Sequence, residues 1–91
     1  MVDFVGSNEF ENALASLTQT QQRLLIALAG EKEKSLSKPN LALRVWGDNI
    51  GRESSINVII SSIRKRLRDC NSNIEIETIH GWGFRLRVKL K

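Results

Sequence analysis

The chain has few of the residues on which catalytic, metal-binding and disulfide-stabilised proteins depend. Its 91 residues include one cysteine and one histidine, which excludes an internal disulfide and leaves no ligand spacing for a structural zinc site. The sequence has no apolar run near the ~20 residues of a membrane span and no signal-peptide pattern. Nothing in it resembles a phosphate-cradling loop, a nucleophile with its base, or a carboxylate pair in a pocket-forming segment. We therefore expect a cytoplasmic protein that is not an enzyme, needs no cofactor and takes no small-molecule substrate.

What the sequence does contain is an excess of positive charge towards its C-terminal end. Residues 1–63 carry six basic and seven acidic side chains, whereas residues 64–91 carry eight basic and three acidic ones. A cationic region on an otherwise nearly neutral domain favours a polyanionic partner such as nucleic acid. A solvated surface, a membrane surface and an acidic protein remain alternatives on charge alone.

The length predicts one domain over residues 1–91, and the apolar pattern predicts that it contains three helices. Thr18 and Gln21 have the spacing of a capping box at the start of the first helix. Ser37 is placed to cap the second helix, which Gly47 is placed to end.

The third helix completes the helical region 18–68 and is predicted to be capped by Ser54 or Ser55. Its apolar residues recur at i, i+4, i+7 and i+11, and they are Ile56, Ile60, Ile63 and Leu67. The opposite face is small and polar and then cationic, with Ser54, Val58, Ser61, Ser62 and Lys65 at its centre and Arg64 and Arg68 at its flanks. Such a face allows close approach to the major groove of DNA, where Ser and Asn can bond to base edges and Arg and Lys to phosphates.

Strands are predicted at both ends of the chain. Residues 1–16 are weakly patterned and predict one or two short strands, and Leu36 predicts another short strand before the second helix. Residues 74–90 alternate between apolar and polar side chains, which predicts a β-hairpin whose turn uses positive φ at Gly81 and Gly83. Its inward face is Phe84, Leu86 and Val88, its cationic outer face includes Arg85 and Arg87, and its tip carries His80 and Trp82.

Four segments, which cover roughly residues 16–89, are similar in order and spacing to a known family. They are LTQTQQRLLIALAG, LSKPNLALRVWGDN, INVIISSIRKRLRD and IEIETIHGWGFRLRV. With their V-W-G, I-x-x-I-R-K-x-L and T-x-x-G-x-G-[YF]-R motifs, they resemble the OmpR/PhoB-type winged helix-turn-helix effector domain of transcriptional regulators. The resemblance implies an α+β fold with a three-helix core, a C-terminal hairpin as the wing and an N-terminal sheet reduced to at most two strands.

The resemblance also implies a function and the residues that perform it. The function is sequence-specific binding of double-stranded DNA in bacterial phosphorelay signalling, with the third helix in the major groove and the wing in the minor groove. The matched base-reading positions are Asn57, Val58 and Ser62. The matched phosphate-contacting positions are Ser54, Ser55, Ser61, Arg64 and Thr78, to which the charge pattern adds Lys65 and Arg68. The wing residues are His80, Trp82, Arg85 and Arg87, of which His80 matches a residue that reaches the minor groove.

Several expectations remain open at this point. The resemblance implies contact with RNA polymerase through loop 47–54 and binding of two copies on repeated half-sites. Some relatives continue into a transmembrane segment, so membrane tethering of the parent protein stays open. Trp82 either packs over the hairpin or lies against the sugar-phosphate surface. The alternative function is a winged-helix interaction module that binds an acidic protein through its third helix.

Overall fold

A computed structural model describes residues 8–47 and 53–89. Within them, four helices accompany one antiparallel sheet of three strands. In chain order the elements are α1 (Asn8–Ala15), α2 (Gln19–Ala29), β1 (Ser35–Ser37), α3 (Lys38–Trp46), α4 (Glu53–Asp69), β2 (Ile74–Ile79) and β3 (Gly83–Val88).

The helix caps predicted from the sequence are confirmed for α2 and α3. The Thr18 hydroxyl accepts a bond from the backbone N–H of Gln21, and the Gln21 side chain accepts one from the N–H of Thr18 in return. The Ser37 hydroxyl accepts a bond from the N–H of Asn40, and α3 ends at Gly47, whose φ is +85°. The two hydroxyls pair backbone N–H groups that the first turn of a helix leaves without an acceptor, and the left-handed conformation of Gly47 ends α3.

The core is formed by one face of each helix together with the inner face of the sheet. The largest fully buried side chains, each under 2% exposed, are Leu24, Leu25, Leu28, Leu41, Ile56, Ile60, Ile63 and Ile74. The predicted apolar stripe of the third helix is therefore confirmed in α4, with Leu67 also buried. Each such burial stabilises the fold by roughly 1.5–3 kcal/mol relative to exposure.

The predicted hairpin and the short strand at Leu36 are both confirmed, and they form a single sheet. Its strand order is β1-β3-β2, with Leu36 opposite Phe84 and Ile76 opposite Leu86. A two-stranded hairpin is marginally stable in water, and β1 provides the third strand. The Lys34 carbonyl extends this pairing by accepting a bond from the N–H of Leu86 at 2.8 Å.

The predicted N-terminal strands are wrong for residues 8–15, which form α1; residues 1–7 lie outside the described part of the chain. Apolar side chains at Phe10, Ala13, Leu14 and Leu17 follow a helical period. Phe10 and Ala13 are three residues apart, as are Leu14 and Leu17, and a strand would place the two members of each pair on opposite faces. Glu9 attaches α1 to the turn before β2, because its carboxylate accepts bonds from the N–H of Asn73 at 2.7 Å and the hydroxyl of Ser72 at 3.3 Å.

The predicted cap of the third helix is also wrong. α4 begins at Glu53, so Ser54 and Ser55 lie inside its first turn rather than before it. Both serines are exposed there.

The two glycines of the hairpin turn have different physical roles. Gly81 has φ +72°, as predicted, and a Cβ atom added to it would meet nothing within 4 Å. Gly83 does not have positive φ, so that part of the prediction is wrong. A Cβ atom at Gly83 would lie 2.1 Å from the carbonyl oxygen of Leu36 and 2.7 Å from the Cα of Ser37. Gly83 is therefore required by the close approach of β1 to β3.

This difference predicts that asparagine, which tolerates positive φ but carries a Cβ atom, is better tolerated than alanine at position 81 but not at position 83. Gly83→Ala and Gly83→Asn should both lower the free energy of unfolding, by about 1–3 kcal/mol or more, because backbone atoms of β1 must shift. Gly81→Asn should cost less than Gly81→Ala. Urea denaturation of the four variants measures the differences, and a Gly83→Ala variant as stable as the wild type would contradict the steric argument.

Candidate nucleic-acid interface

The outward face of α4 is exposed and largely free of intramolecular contacts. Val58 is 69% exposed, and Asn57, Ser61, Lys65 and Arg68 are also exposed. Their side chains make no hydrogen bond or ion pair with any other residue that the structure describes. A partner could therefore bind these groups without breaking any bond within residues 8–47 and 53–89.

Ser62, predicted to read bases, instead connects α4 to α2. The Nε2 of Gln21 donates to the Ser62 hydroxyl at 2.9 Å, and that hydroxyl donates to the carbonyl of Ile59 at 2.8 Å. Gln21 is the buried polar residue of the described core. Because the single proton of the Ser62 hydroxyl is already used, the geometry favours a structural role for this residue.

Arg64 connects α4 to the hairpin. Its Nε and Nη2 donate to the carbonyl of Ile76 at 3.1 and 2.8 Å, and its Nη2 also donates to the Thr78 hydroxyl at 2.8 Å. The guanidinium carbon lies 5.8 Å from the centre of the Phe84 ring. Arg64 and Thr78, both predicted to contact phosphates, are thus bonded to each other. Only the two N–H groups on Nη1 of Arg64 remain unused within the described structure.

Lys38 is a basic residue near this junction that the sequence analysis missed. Its Nζ lies 6.0 Å from the centre of the Phe84 ring, and its backbone N–H donates to the carbonyl of Trp82 at 3.1 Å. Lys38 and Arg64 therefore bring two positive charges close to one buried ring. The sequence contained a signal for this residue. A lysine in the first turn of a helix is unfavourable next to the helix dipole, so its presence there indicates another role.

Arg85 and Arg87 lie exposed on the outer face of the hairpin, as predicted, but acidic residues on β2 compensate their charge. Glu77 stands opposite Arg85 and Glu75 opposite Arg87 in the register of the two strands. The Nε of Arg85 donates to Glu77 at 2.9 Å, while Arg87 contacts Glu75 at 3.1 Å and Glu77 at 3.2 Å. The hydrogen bond from Arg85, together with the charges of both arginines, lowers the pKa of the Glu77 carboxyl from its ordinary value.

The tip of the hairpin carries His80 and Trp82, both exposed. Trp82 is 47% exposed and lines a shallow depression together with Ser35 and the charged turn at residues 31–33. Trp82 is thus about half exposed beside the charged turn. Its backbone N–H closes the hairpin turn by donating to the carbonyl of Ile79 at 3.0 Å.

The described part of the chain shows neither a metal site nor a membrane-spanning helix. Residues 8–47 and 53–89 contain no group of three His, Cys, Asp or Glu side chains arranged to hold a metal ion. No helix among these residues combines the length and apolarity needed to cross a membrane. Residues 48–52 of loop 47–54 lie outside the described residues.

Comparison with known proteins places these features in a family. Residues 12–86 match the family described as "Transcriptional regulatory protein, C terminal". The transcriptional regulatory protein YxdJ of Bacillus subtilis is 31% identical over 81 residues, which are 88% of this chain and 35% of that protein. The heme response regulator HssR of Staphylococcus haemolyticus is 35% identical over 72 residues, 78% of this chain and 32% of that protein. The chain thus spans about a third of the length of these curated relatives.

A solved structure extends the similarity to three dimensions. The crystal structure of the DNA-binding domain of Bacillus subtilis CssR matches with a TM-score of 0.65 and 25% identity, and the match covers 78% of this chain and 77% of that one. The predicted winged-helix fold is confirmed, with α2, α3 and α4 as its three helices and β2–β3 as its wing.

Arg64 should contribute to folding as well as to any contact with DNA. Arg64→Ala should lower the free energy of unfolding by about 1–3 kcal/mol, because the carbonyl of Ile76 and the hydroxyl of Thr78 lose a charged donor. Arg68→Ala, on the same helix but with no side-chain bond to a described residue, should change it by about 0.5 kcal/mol or less. Urea denaturation compares the two variants, and equal stability would show that the Arg64 bonds contribute nothing net.

The carboxylate of Glu77 should limit the positive charge of the wing. Glu77→Gln should raise the affinity for a DNA duplex about two- to fivefold at low salt, since Arg85 and Arg87 lose a compensating charge. Glu11→Gln, at an exposed position of α1, makes the same change in net charge and is the control. Equal gains in a fluorescence-anisotropy titration would mean that only the overall charge matters.

The lowered pKa of Glu77 sets the pH at which this compensation is lost. Because the pKa is depressed in the folded chain, the pairing is present at neutral pH and disappears as the pH falls through that lowered value. Titration of the carboxyl carbon by NMR checks the direction, and a midpoint at or above the ordinary glutamate value would contradict it.

Proposed function

The chain belongs to the family of transcriptional regulatory protein C-terminal domains, which bind DNA, and we propose that it reads a specific duplex sequence with α4 in the major groove and the wing, β2–β3, at the minor groove. The relatives are response regulators about three times as long as this chain. We propose that the whole protein acts in the same way, in phosphorelay signalling in the bacterial cytoplasm, and that this domain catalyses no reaction.

The proposal rests on the outward face of α4. Its exposed side chains make no bond to another described residue, and the wing that Arg64 bonds to α4 lies next to them. α4 has 17 residues, which corresponds to about 25 Å at 1.5 Å per residue, enough to span the ~12 Å major groove. Its outward residues are short over the first half and cationic over the second half. Arg64 holds β2 beside this face through the carbonyl of Ile76, so that helix and wing meet DNA as one surface.

The direct contacts with bases are assigned to Asn57 and Val58. The amide of Asn57 can donate to and accept from the major-groove edge of adenine, and the methyl groups of Val58 can pack on a thymine methyl. Ser62 is not assigned a base contact, because its hydroxyl is bonded to Gln21. No arginine or lysine occurs between Asn57 and Ile63, so strong guanine readout is not expected there, and specificity should depend partly on DNA shape.

Phosphate contacts are assigned around this reading face. The proposed donors are the hydroxyls of Ser54, Ser55, Ser61 and Thr78 and the cations Lys65, Arg68 and the Nη1 of Arg64. At the wing, His80 and the open part of Trp82 are placed to meet the backbone or the minor groove, whereas Arg85 and Arg87 do so only by giving up bonds to Glu75 and Glu77.

Two partners besides DNA are proposed from the family resemblance alone. RNA polymerase would contact loop 47–54. A second copy of the chain would bind a repeated half-site, which would raise the total affinity for DNA when each α4 binds weakly by itself. Tethering of the parent protein to a membrane remains compatible with this arrangement. The interaction-module alternative is not favoured, because the matched family consists of DNA-binding regulators.

The test is selection of a preferred duplex from a random-sequence pool, followed by titration in increasing salt. The affinity of the wild type should fall steeply with salt and exceed that for a scrambled duplex. Asn57→Ala should cost about 1–3 kcal/mol on the selected duplex and little on the scrambled one.

Asn12→Ala is the matched control, since Asn12 is an exposed asparagine on α1. It should bind both duplexes like the wild type. A wild type that binds a selected and a scrambled duplex equally well would refute sequence reading, and a uniform loss in Asn57→Ala would make that residue a backbone contact.

A further inference from the structure

A groove lies between the second half of α4 and the base of the sheet, at the end of the hairpin opposite its tip. Its volume is about 190 Å³. Arg64, Arg68 and Lys89 supply positive charge around it, and Leu67, Ile74 and Ile76 form its apolar floor. The groove brings together residues from α4, from β2 and from the segment that follows β3.

The charge in this groove is not compensated within the described structure. The side chains of Arg68 and Lys89 make no hydrogen bond or ion pair with any described residue. One carboxylate, that of Glu75, also lines the groove, but it bonds to the Nε of Arg87 at 3.1 Å. Two cations without a partner among the described residues thus face a small cleft, which is the arrangement that favours a bound anion.

The groove lies at the end of the helix surface already assigned to DNA. Asn57, Ser61, Arg64 and Arg68 recur at i, i+4, i+7 and i+11, so they form one line along α4. Arg68 is eleven residues beyond Asn57, which is about 16 Å along the helix axis. Since the major groove is ~12 Å wide, a helix whose Asn57 contacts a base carries Arg68 as far as the opposite backbone.

We infer that this groove binds one phosphodiester of the DNA backbone, with Arg68 and Lys89 as its two cationic contacts and the apolar floor against the adjoining sugar. The inference rests on the proposed function and adds to it a second point of attachment, distinct from the wing tip. Nothing in the sequence pattern places Lys89 beside α4. The sheet does so, because the N–H of Lys89 bonds to the carbonyl of Asn73 in the turn that follows α4.

Three variants test the contact, with Arg66 as a matched control. Arg66 is exposed on the same helix without a described partner, and it does not line the groove. It is two residues from Arg68 and therefore on a different side of the helix. On the selected duplex, Arg68→Ala and Lys89→Ala should each lose about three- to tenfold in affinity, and Arg66→Ala less than about twofold. The double variant Arg68→Ala/Lys89→Ala should shallow the plot of log K against log salt by ~1.

Neutral methylphosphonate linkages, introduced one at a time along the selected duplex, identify the phosphate itself. One position, or two adjacent ones, should weaken the wild type and Arg66→Ala but have little further effect on the double variant, because the partners of that phosphate are already missing. Thermal melting should show that all variants remain folded.

Two results would overturn the inference. One is an equal loss in Arg66→Ala and Arg68→Ala, which would reflect general electrostatics, and the other is a scan in which no phosphate position couples to Arg68 and Lys89. Either result leaves the proposed function intact if the wild type still prefers its selected duplex. A wild type that binds no duplex overturns the proposed function and, with it, this inference.

Discussion

One guanidinium group joins the wing to α4 by hydrogen bonds, in addition to the apolar packing of the sheet on the helices. Arg64 extends from the helix to the carbonyl of Ile76 and the hydroxyl of Thr78, and it lies over the buried ring of Phe84. A carbonyl in a strand accepts a bond from a side chain only if its lone pair faces that side chain, so these bonds restrict the angle between α4 and β2. A protein that reads DNA with a helix and a hairpin together needs that angle to be constant, because both must reach their grooves at once.

The register of the sheet, and not only position along the sequence, decides which positive charges are compensated. Arg85 and Arg87 lie in the basic third of the chain, yet Glu77 and Glu75 stand opposite them and compensate them. The described cations without a described partner include Lys65, Arg66 and Arg68 on α4 and Lys89. α4 therefore carries more uncompensated charge than the outer face of the wing, and the wing tip carries an exposed histidine and a half-exposed tryptophan.

Much of the fold could be predicted because it depends on residues close together in the chain. The capping box at Thr18, the cap at Ser37 and the apolar stripe of α4 involve neighbours within one or two helical turns, and their side chains determine the local backbone. The failures at the N-terminus and at Gly83 had other causes. Phe10, Leu14 and Leu17 have the i, i+4, i+7 spacing of a helix, which the strand prediction overlooked, and the requirement for glycine at position 83 comes from Leu36, which is distant in sequence.

The sequence by itself determined the helical periods, the caps, the hairpin and the set of exposed polar residues along α4, since each follows from the side-chain period of a helix or strand. The tertiary structure alone decided which of those residues remain available. Ser62 is bonded to Gln21 from 41 positions away, and Arg64 to strand β2. Arg85 and Arg87 are paired across the hairpin, and Arg68 and Lys89 meet at one groove. Hydrogen bonds and ion pairs form over about 3 Å, so their partners are chosen by packing between elements, which no local pattern records.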